Sequence, residues 1–166
     1  MGWAMHRLGN FSAGLDLLTQ GVKRWYDTGA KLHTTHCEFA LADCFLREDR
    51  IVEARLHLDA ARAHLTSYGE SYLAVEMDRL EALILQREDA APELVEEYLL
   101  RSVDTSHRQS ARLLELHTAT AFAEFLAARG ERQRAIDTLT PVYRWFTEGL
   151  DTMDLREAKQ VLDTLM

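Results

Sequence analysis

Three side chains of the kind that ligate metals fall within five residues: His33, His36 and Cys37. Imidazole and thiolate are common zinc ligands, and His33 and Cys37, four apart, would share one face of a helix. A zinc site needs a third and usually a fourth ligand at matching spacing. The sequence offers none, so these three read as helix-surface residues and no metal is expected. His57 and His64, seven apart, read the same way. Gly9 and Gly14 lie five apart, as in a phosphate-cradling loop, but no Lys-Ser or Lys-Thr pair follows. Without that lysine the segment is a turn. No Gly-x-Ser-x-Gly, His-Glu-x-x-His or kinase set occurs. The chain is therefore expected to be non-catalytic and to need no cofactor. The rival reading is a small metal-dependent enzyme using His33, His36, His117 and nearby acids.

The elements that would carry these residues announce themselves by repetition. Gly9, Asp49, Ala90 and Gly130 recur at spacings of 40, 41 and 40, and nine residues after each comes Leu18, Leu58, Leu99 and Leu139. A second break recurs at Gly29, Gly69, Ser110 and Gly149. Two alternating breaks within a fixed period are the mark of stacked helix–turn–helix units. The unit beginning at Thr35 carries Leu41, Ala42, Phe45 and Leu46 on its first helix. Its second helix has Ile51, Ala54, Leu58, Ala61 and Leu65 at helical spacing. In the middle unit the turn is one residue longer, and Pro92 suits the first turn of the helix that follows. Pro141 stands inside the last second helix and is expected to kink it near Asp137–Thr140. Thr152 can cap a final helix whose stripe is Leu155, Ala158, Val161, Leu162 and Leu165. The expected architecture is all-α, one domain over 1–166. It divides into a half hairpin at 1–29, hairpins at 30–69, 70–110 and 111–149, and a capping helix at 152–166. Each unit buries its apolar face only against its neighbours, so the hairpins should form a solenoid.

Composition narrows the function classes. The 166 residues are 47% hydrophobic and 28% charged, with two prolines and a net charge of -8. That balance suits a globular helical protein and argues against a nucleic-acid or anionic-membrane surface. No run of eighteen apolar residues appears, so no membrane span is expected. Cys37 and Cys44, seven apart on one helix, would lie about 10 Å apart at 1.5 Å per residue, too far to bridge. Reduced thiols and no visible secretory signal predict a cytoplasmic setting. Asn10-Phe11-Ser12 then fits a glycosylation acceptor only by accident.

These landmarks resemble tetratricopeptide-like repeats. The family's first-helix slots for a large, a small and an aromatic residue are matched by Leu41, Ala42 and Phe45. Its second-helix slots are matched by Ala54, Leu58 and Ala61. The period of forty exceeds the usual 34 and marks a diverged subclass. The run from Pro141 to Leu155, followed by Glu157-Ala158-Lys159, is similar to the ending of the C-terminal repeat region of large bacterial regulators. Those regulators carry a class III adenylate/guanylate cyclase-like domain and a P-loop ATPase upstream. Arg144 and Leu150 depart from that ending, which commonly has Gly and Phe there. The segment from Gly2 to Ala30 fits the start of the same region, so the resemblance spans nearly the whole chain. It implies a signalling regulator, and the short first unit implies either an excised fragment or a stand-alone relative.

In such stacks the first helices line a concave face, which here presents His36, Asp43 and Arg47; Glu76 and Arg79; and His117, Thr120 and Glu124. These are the expected contacts for a protein or peptide partner, or for a small effector; a solvated helix face is the alternative. At the other extreme of the chain, Phe11, Leu18, Val22 and Trp25 have only a stub of first helix to cover them. Leaving half of such a stripe wet would cost about 3–6 kcal/mol. The stub, an upstream domain or a second copy is expected to cover this edge, with a homodimer as the commonest solution.

Overall fold

In the computed structural model, residues 1–68 and 71–166 are described, and they contain helices and no strand. The helices are α1 (Gly2–Arg7), α2 (Phe11–Asp27), α3 (Thr34–Arg47), α4 (Ile51–Tyr68), α5 (Ala74–Arg87), α6 (Pro92–Gln109), α7 (Arg112–Ala128), α8 (Arg132–Trp145) and α9 (Met153–Leu165). A single 3₁₀ turn, Ser71–Leu73, leads into α5. Helices α1 and α2, α3 and α4, α5 and α6, and α7 and α8 pack as successive pairs. The odd-numbered helices also touch one another in order, from α1 to α3, α5, α7 and α9. This second set of contacts gathers the first helix of every pair on one side.

The tight turns explain the first repeating landmark and shift one of its members. Gly9, Asp49, Asp89 and Gly130 have positive φ, at 92, 59, 53 and 78°. The residue after each closes the turn through its N–H: Asn10 to Met5, Arg50 to Phe45, Ala90 to Leu85 and Glu131 to Leu126, at 2.9–3.0 Å. This is the six-to-one closure of a Schellman helix end. The left-handed residue of the middle unit is therefore Asp89 and not Ala90. Aspartate tolerates that conformation better than alanine, because its short polar side chain can bond locally. The second landmark holds at Gly29, Ser110 and Gly149, all with positive φ, while Gly69 lies outside the described residues. The middle turn is longer by one residue, and Pro92 opens α6. Pro141 stands inside α8, which stays helical to Trp145 before Phe146 turns extended. Thr152 occupies the N-cap of α9, but its side chain makes no capping hydrogen bond.

Packing follows the alternation of large and small residues. Leu58, Leu99 and Leu139 are at most 1% exposed, each contributing about 1.5–3 kcal/mol of burial. Ala42, Ala54, Ala61, Ala123, Ala135 and Ala158 are fully buried, which lets paired helices approach closely. The fourth leucine, Leu18, is only partly buried, because the helix above it is short.

That short helix, α1, is the cover at the starting edge. A Cβ added at Gly2 would stand 2.6 Å from the Gly14 carbonyl oxygen, and one at Gly14 would stand 2.5 Å from the His6 amide. The two backbones thus meet through a pair of glycines. Of the four edge residues, Val22 is buried, Leu18 and Trp25 are partly buried, and Phe11 is 52% exposed. Leu15, one helical turn after Phe11 on the same stripe, takes the first buried apolar position, so the buried part of the stripe begins a turn later than expected. Phe11 instead lies edge-on against the fully buried His6 ring, at 5.1 Å. Trp25 donates its indole N–H to the Leu32 carbonyl at 2.9 Å.

Candidate functional site

Of His33, His36 and Cys37, read from the sequence as helix-surface residues, only His36 and Cys37 lie within α3. His33 has a positive φ of 61° and is the N-cap of α3, so it does not share a helical face with Cys37. His36 is exposed, with its ring 6.4 Å from Trp3 and 6.0 Å from Phe39. No group of three or more His, Cys, Asp or Glu able to hold a metal occurs among the described residues. Cys44 is fully buried, and burial together with Asp43 pushes its thiol up to about 12, the opposite of an activated nucleophile.

The odd helices instead bring a set of charges into one continuous ring. Asp43, on α3, accepts the Trp3 indole N–H of α1 at 2.8 Å and faces the Arg79 guanidinium of α5 at 3.7 Å. Arg79 donates to Glu76, one turn earlier on α5, at 2.6 and 2.9 Å. Glu76 is bound through its other oxygen to Nδ1 of His117, on α7, at 2.9 Å. Nε2 of His117 stands 3.2 Å from Asp154 of α9, an ion-pair distance without well-aligned hydrogen bonding. Asp154 then accepts from Arg7 of α1 at 2.9 Å, across 147 residues of sequence. Arg7 also lies 5.7 Å above the Trp3 ring, which closes the circuit. The first and last helices are thus tied together by side chains that no local pattern links.

Burial sets the protonation states. Asp43, Glu76 and Arg79 are 2, 3 and 8% exposed. Loss of water would push the Glu76 carboxyl up, but Arg79 and His117 outweigh it and hold it at about 2. The close His117 imidazole and the charge of Arg7 overcome burial at Asp154 and also hold it at about 2. Burial works against a charged His117, yet Asp154 and Glu76 prevail and raise its pKa. With His117 protonated, the ring holds three cations (Arg7, Arg79, His117) and three anions (Asp43, Glu76, Asp154). A neutral ring is the condition under which buried charges are tolerated.

This ring borders an open cavity of about 600 Å³ lined by the odd helices. Six of the eight residues predicted for the concave face line it: Asp43, Arg47, Arg79, His117, Thr120 and Glu124. Glu76 does not line it but supports His117 from within the core. His36 lies elsewhere, outside the lining. The expectation that all eight are solvent-facing is corrected for Asp43, Glu76 and Arg79, whose charges are neutralised by one another rather than by water. The sequence reading missed Trp3, Arg7, Asp154, Glu157 and Gln160. Asp154 and Glu157 sit three apart in a helix recognised only by its apolar stripe, and Arg7 lies in a segment too short to show a period.

Outside the ring, the buried carboxylate Glu38 accepts from Tyr26 at 2.5 Å and pairs with Nδ1 of His57 at 2.6 Å. These contacts outweigh burial and lower its pKa, joining α2, α3 and α4 as a structural cross-link. No family model, no curated protein and no solved structure matches this chain.

Proposed function

We propose that this chain is a non-catalytic binding and regulatory module. In this reading it is a tetratricopeptide-like solenoid of helical hairpins, closed by a capping helix, that takes a ligand on the face formed by its first helices. The observation that carries the reading is the cavity of about 600 Å³, which α1, α3, α5, α7 and α9 surround and which charged side chains of all five line. Its volume falls within the range of small-molecule sites, roughly 300–1,000 Å³. The ring of ion pairs gives this cavity a rigid border, and rigid borders reduce the ordering cost of binding. A small effector, or a short peptide segment entering by one end, fits such a space better than a folded partner does. The resemblance of the Pro141–Leu155 ending to bacterial regulators supplies the regulatory setting: occupancy would be reported to an attached or associated cyclase-like or ATPase domain.

Blocking the cavity tests this reading. Gln160 is exposed and lines the wall, so Gln160→Trp should fill space without disturbing the core. A thermal-shift screen of polar metabolites and short peptides should yield compounds that raise the melting temperature of the wild type and not of Gln160→Trp. Equal shifts for both proteins across the whole screen would overturn the reading. Turnover of a compound by the purified protein would move the assignment to an enzyme.

A further inference from the structure

The cavity is lined by two exposed side chains of opposite charge whose hydrogen-bonding capacity the protein leaves wholly or partly unused. Glu124, on α7, lines it with no hydrogen bond or ion pair to any described residue. Its carboxyl pKa is raised by loss of bulk water and by Glu157 of the neighbouring α9, which together outweigh the opposing charges of Arg47 and Arg79. Arg47, the last residue of α3, lines the same space and pairs with Asp43 through its Nε–H at 3.4 Å, which leaves its terminal N–H groups as further donors. The remaining charges of the wall have partners: Arg79 and His117 within the ring, Arg7 with Asp154, and Arg87 with Asp49 at 2.6 Å. Arg47 and Glu124 do not meet within 4 Å of each other, although both face the cavity. Between the charged groups the wall is apolar, with Leu83, Ala121 and Val161.

We propose that the cavity binds a small zwitterion, with its ammonium group at Glu124 and its anionic oxygens at Arg47. The inference rests on the binding reading above and adds the class of ligand. A cation at Glu124 would neutralise a carboxylate that now faces Glu157, and a carboxylate at Arg47 would find the paired N–H donors that guanidinium presents. One end of the ligand answers the unpaired Glu124 carboxylate, the other the remaining N–H donors of Arg47. A ligand with a single charge would satisfy one and leave the other as it is. The apolar wall suits a carbon chain or short peptide backbone between the two ends.

Isothermal titration of the full chain with 4-aminobutyrate, 6-aminohexanoate, 8-aminooctanoate and triglycine tests this. Hexylamine and hexanoate serve as singly charged controls. At least one zwitterion should bind tenfold or more tightly than both controls. Whichever of the amino-carboxylates and triglycine binds best names the source, a free amino acid or a short peptide. Glu124→Gln and Arg47→Gln should each weaken that binding at least tenfold. Glu124→Gln removes a like-charge contact with Glu157, so it should melt no lower than wild type, which separates lost binding from lost folding. Hexylamine or hexanoate binding as tightly as every zwitterion would overturn the assignment. So would zwitterion binding unchanged in both variants. If other compounds still stabilise the wild type and not Gln160→Trp, only the ligand class fails. If nothing distinguishes those two proteins, the binding reading fails with it.

Discussion

Replacing Arg79 by methionine removes the central cation of the ring while keeping an unbranched side chain of similar length. Its partners, Glu76 and Asp43, are 3 and 2% exposed, so neither can turn to bulk water for compensation. A carboxylate held at about 2 instead of its ordinary 4.5 corresponds to about 3 kcal/mol of stability at neutral pH. Breaking a buried pair from one side costs a similar amount, about 3–5 kcal/mol. We therefore expect Arg79→Met to lose about 3–5 kcal/mol, a large share of a typical 5–15 kcal/mol total. Urea denaturation at pH 7 should show the midpoint falling by a molar or more, given slopes of about 1–3 kcal/mol/M. The pH profile gives a second readout. Glu76 has a depressed folded pKa, so its contribution is present above 4.5 and is lost as pH falls toward 2. In Arg79→Met the largest charge opposing burial is gone and only His117 remains, so acid destabilisation should begin at higher pH. Adding Glu76→Gln should recover part of the loss, because an uncharged amide removes one uncompensated charge. A loss below about 1 kcal/mol with an unchanged acid profile would refute the ring as a stabilising device.

Other consequences concern the imidazole, the glycine pair and the turns. The raised pKa of His117 means that its contribution is complete below the unfolded imidazole value and is lost as pH rises through the folded one. Wild-type stability should therefore decline on the alkaline side, and His117→Gln should remove that decline in chemical denaturation at a series of pH values. Gly14→Ala gains about 1 kcal/mol of helix propensity, but its Cβ meets His6 backbone atoms at 2.5 and 2.8 Å. The clash should win, displacing α1 and shifting Trp3 emission to the red as its indole leaves Asp43. Asp89→Gly should stabilise the protein by up to about 1 kcal/mol by relieving a positive φ. Ala90→Gly should not, and thermal melts of the two variants test which residue occupies the left-handed turn position.

The helices were legible because their signals are local. Leu58, Ala54 and Ala61 lie on one face of one helix, and glycine or aspartate at the turns reflects conformations set within six residues. The six cavity-lining positions on α3, α5 and α7 could be found because a repeat carries a position from one unit to the next. What the repeat could not convey is pairing between units. Asp43, Glu76 and Arg79 look like solvated surface in any single helix, and they become buried only when the neighbouring hairpins and α9 close over them. The contact between Arg7 and Asp154 spans 147 residues and obeys no period, since one partner lies in the shortest helix and the other in the cap. The displacement from Ala90 to Asp89 came from aligning on residue position where backbone conformation was the recurring quantity.

Where a ligand sits tests the role of the cavity most directly. Backbone amide chemical shifts followed during titration with the best-binding zwitterion would locate it. The account predicts saturable changes centred on Arg47, Thr120, Glu124 and Gln160, on the inner walls of α3, α7 and α9, with the exposed faces of α4, α6 and α8 unmoved. Changes confined to those outer helices, or none at any concentration, would contradict the assignment of this cavity as the functional site.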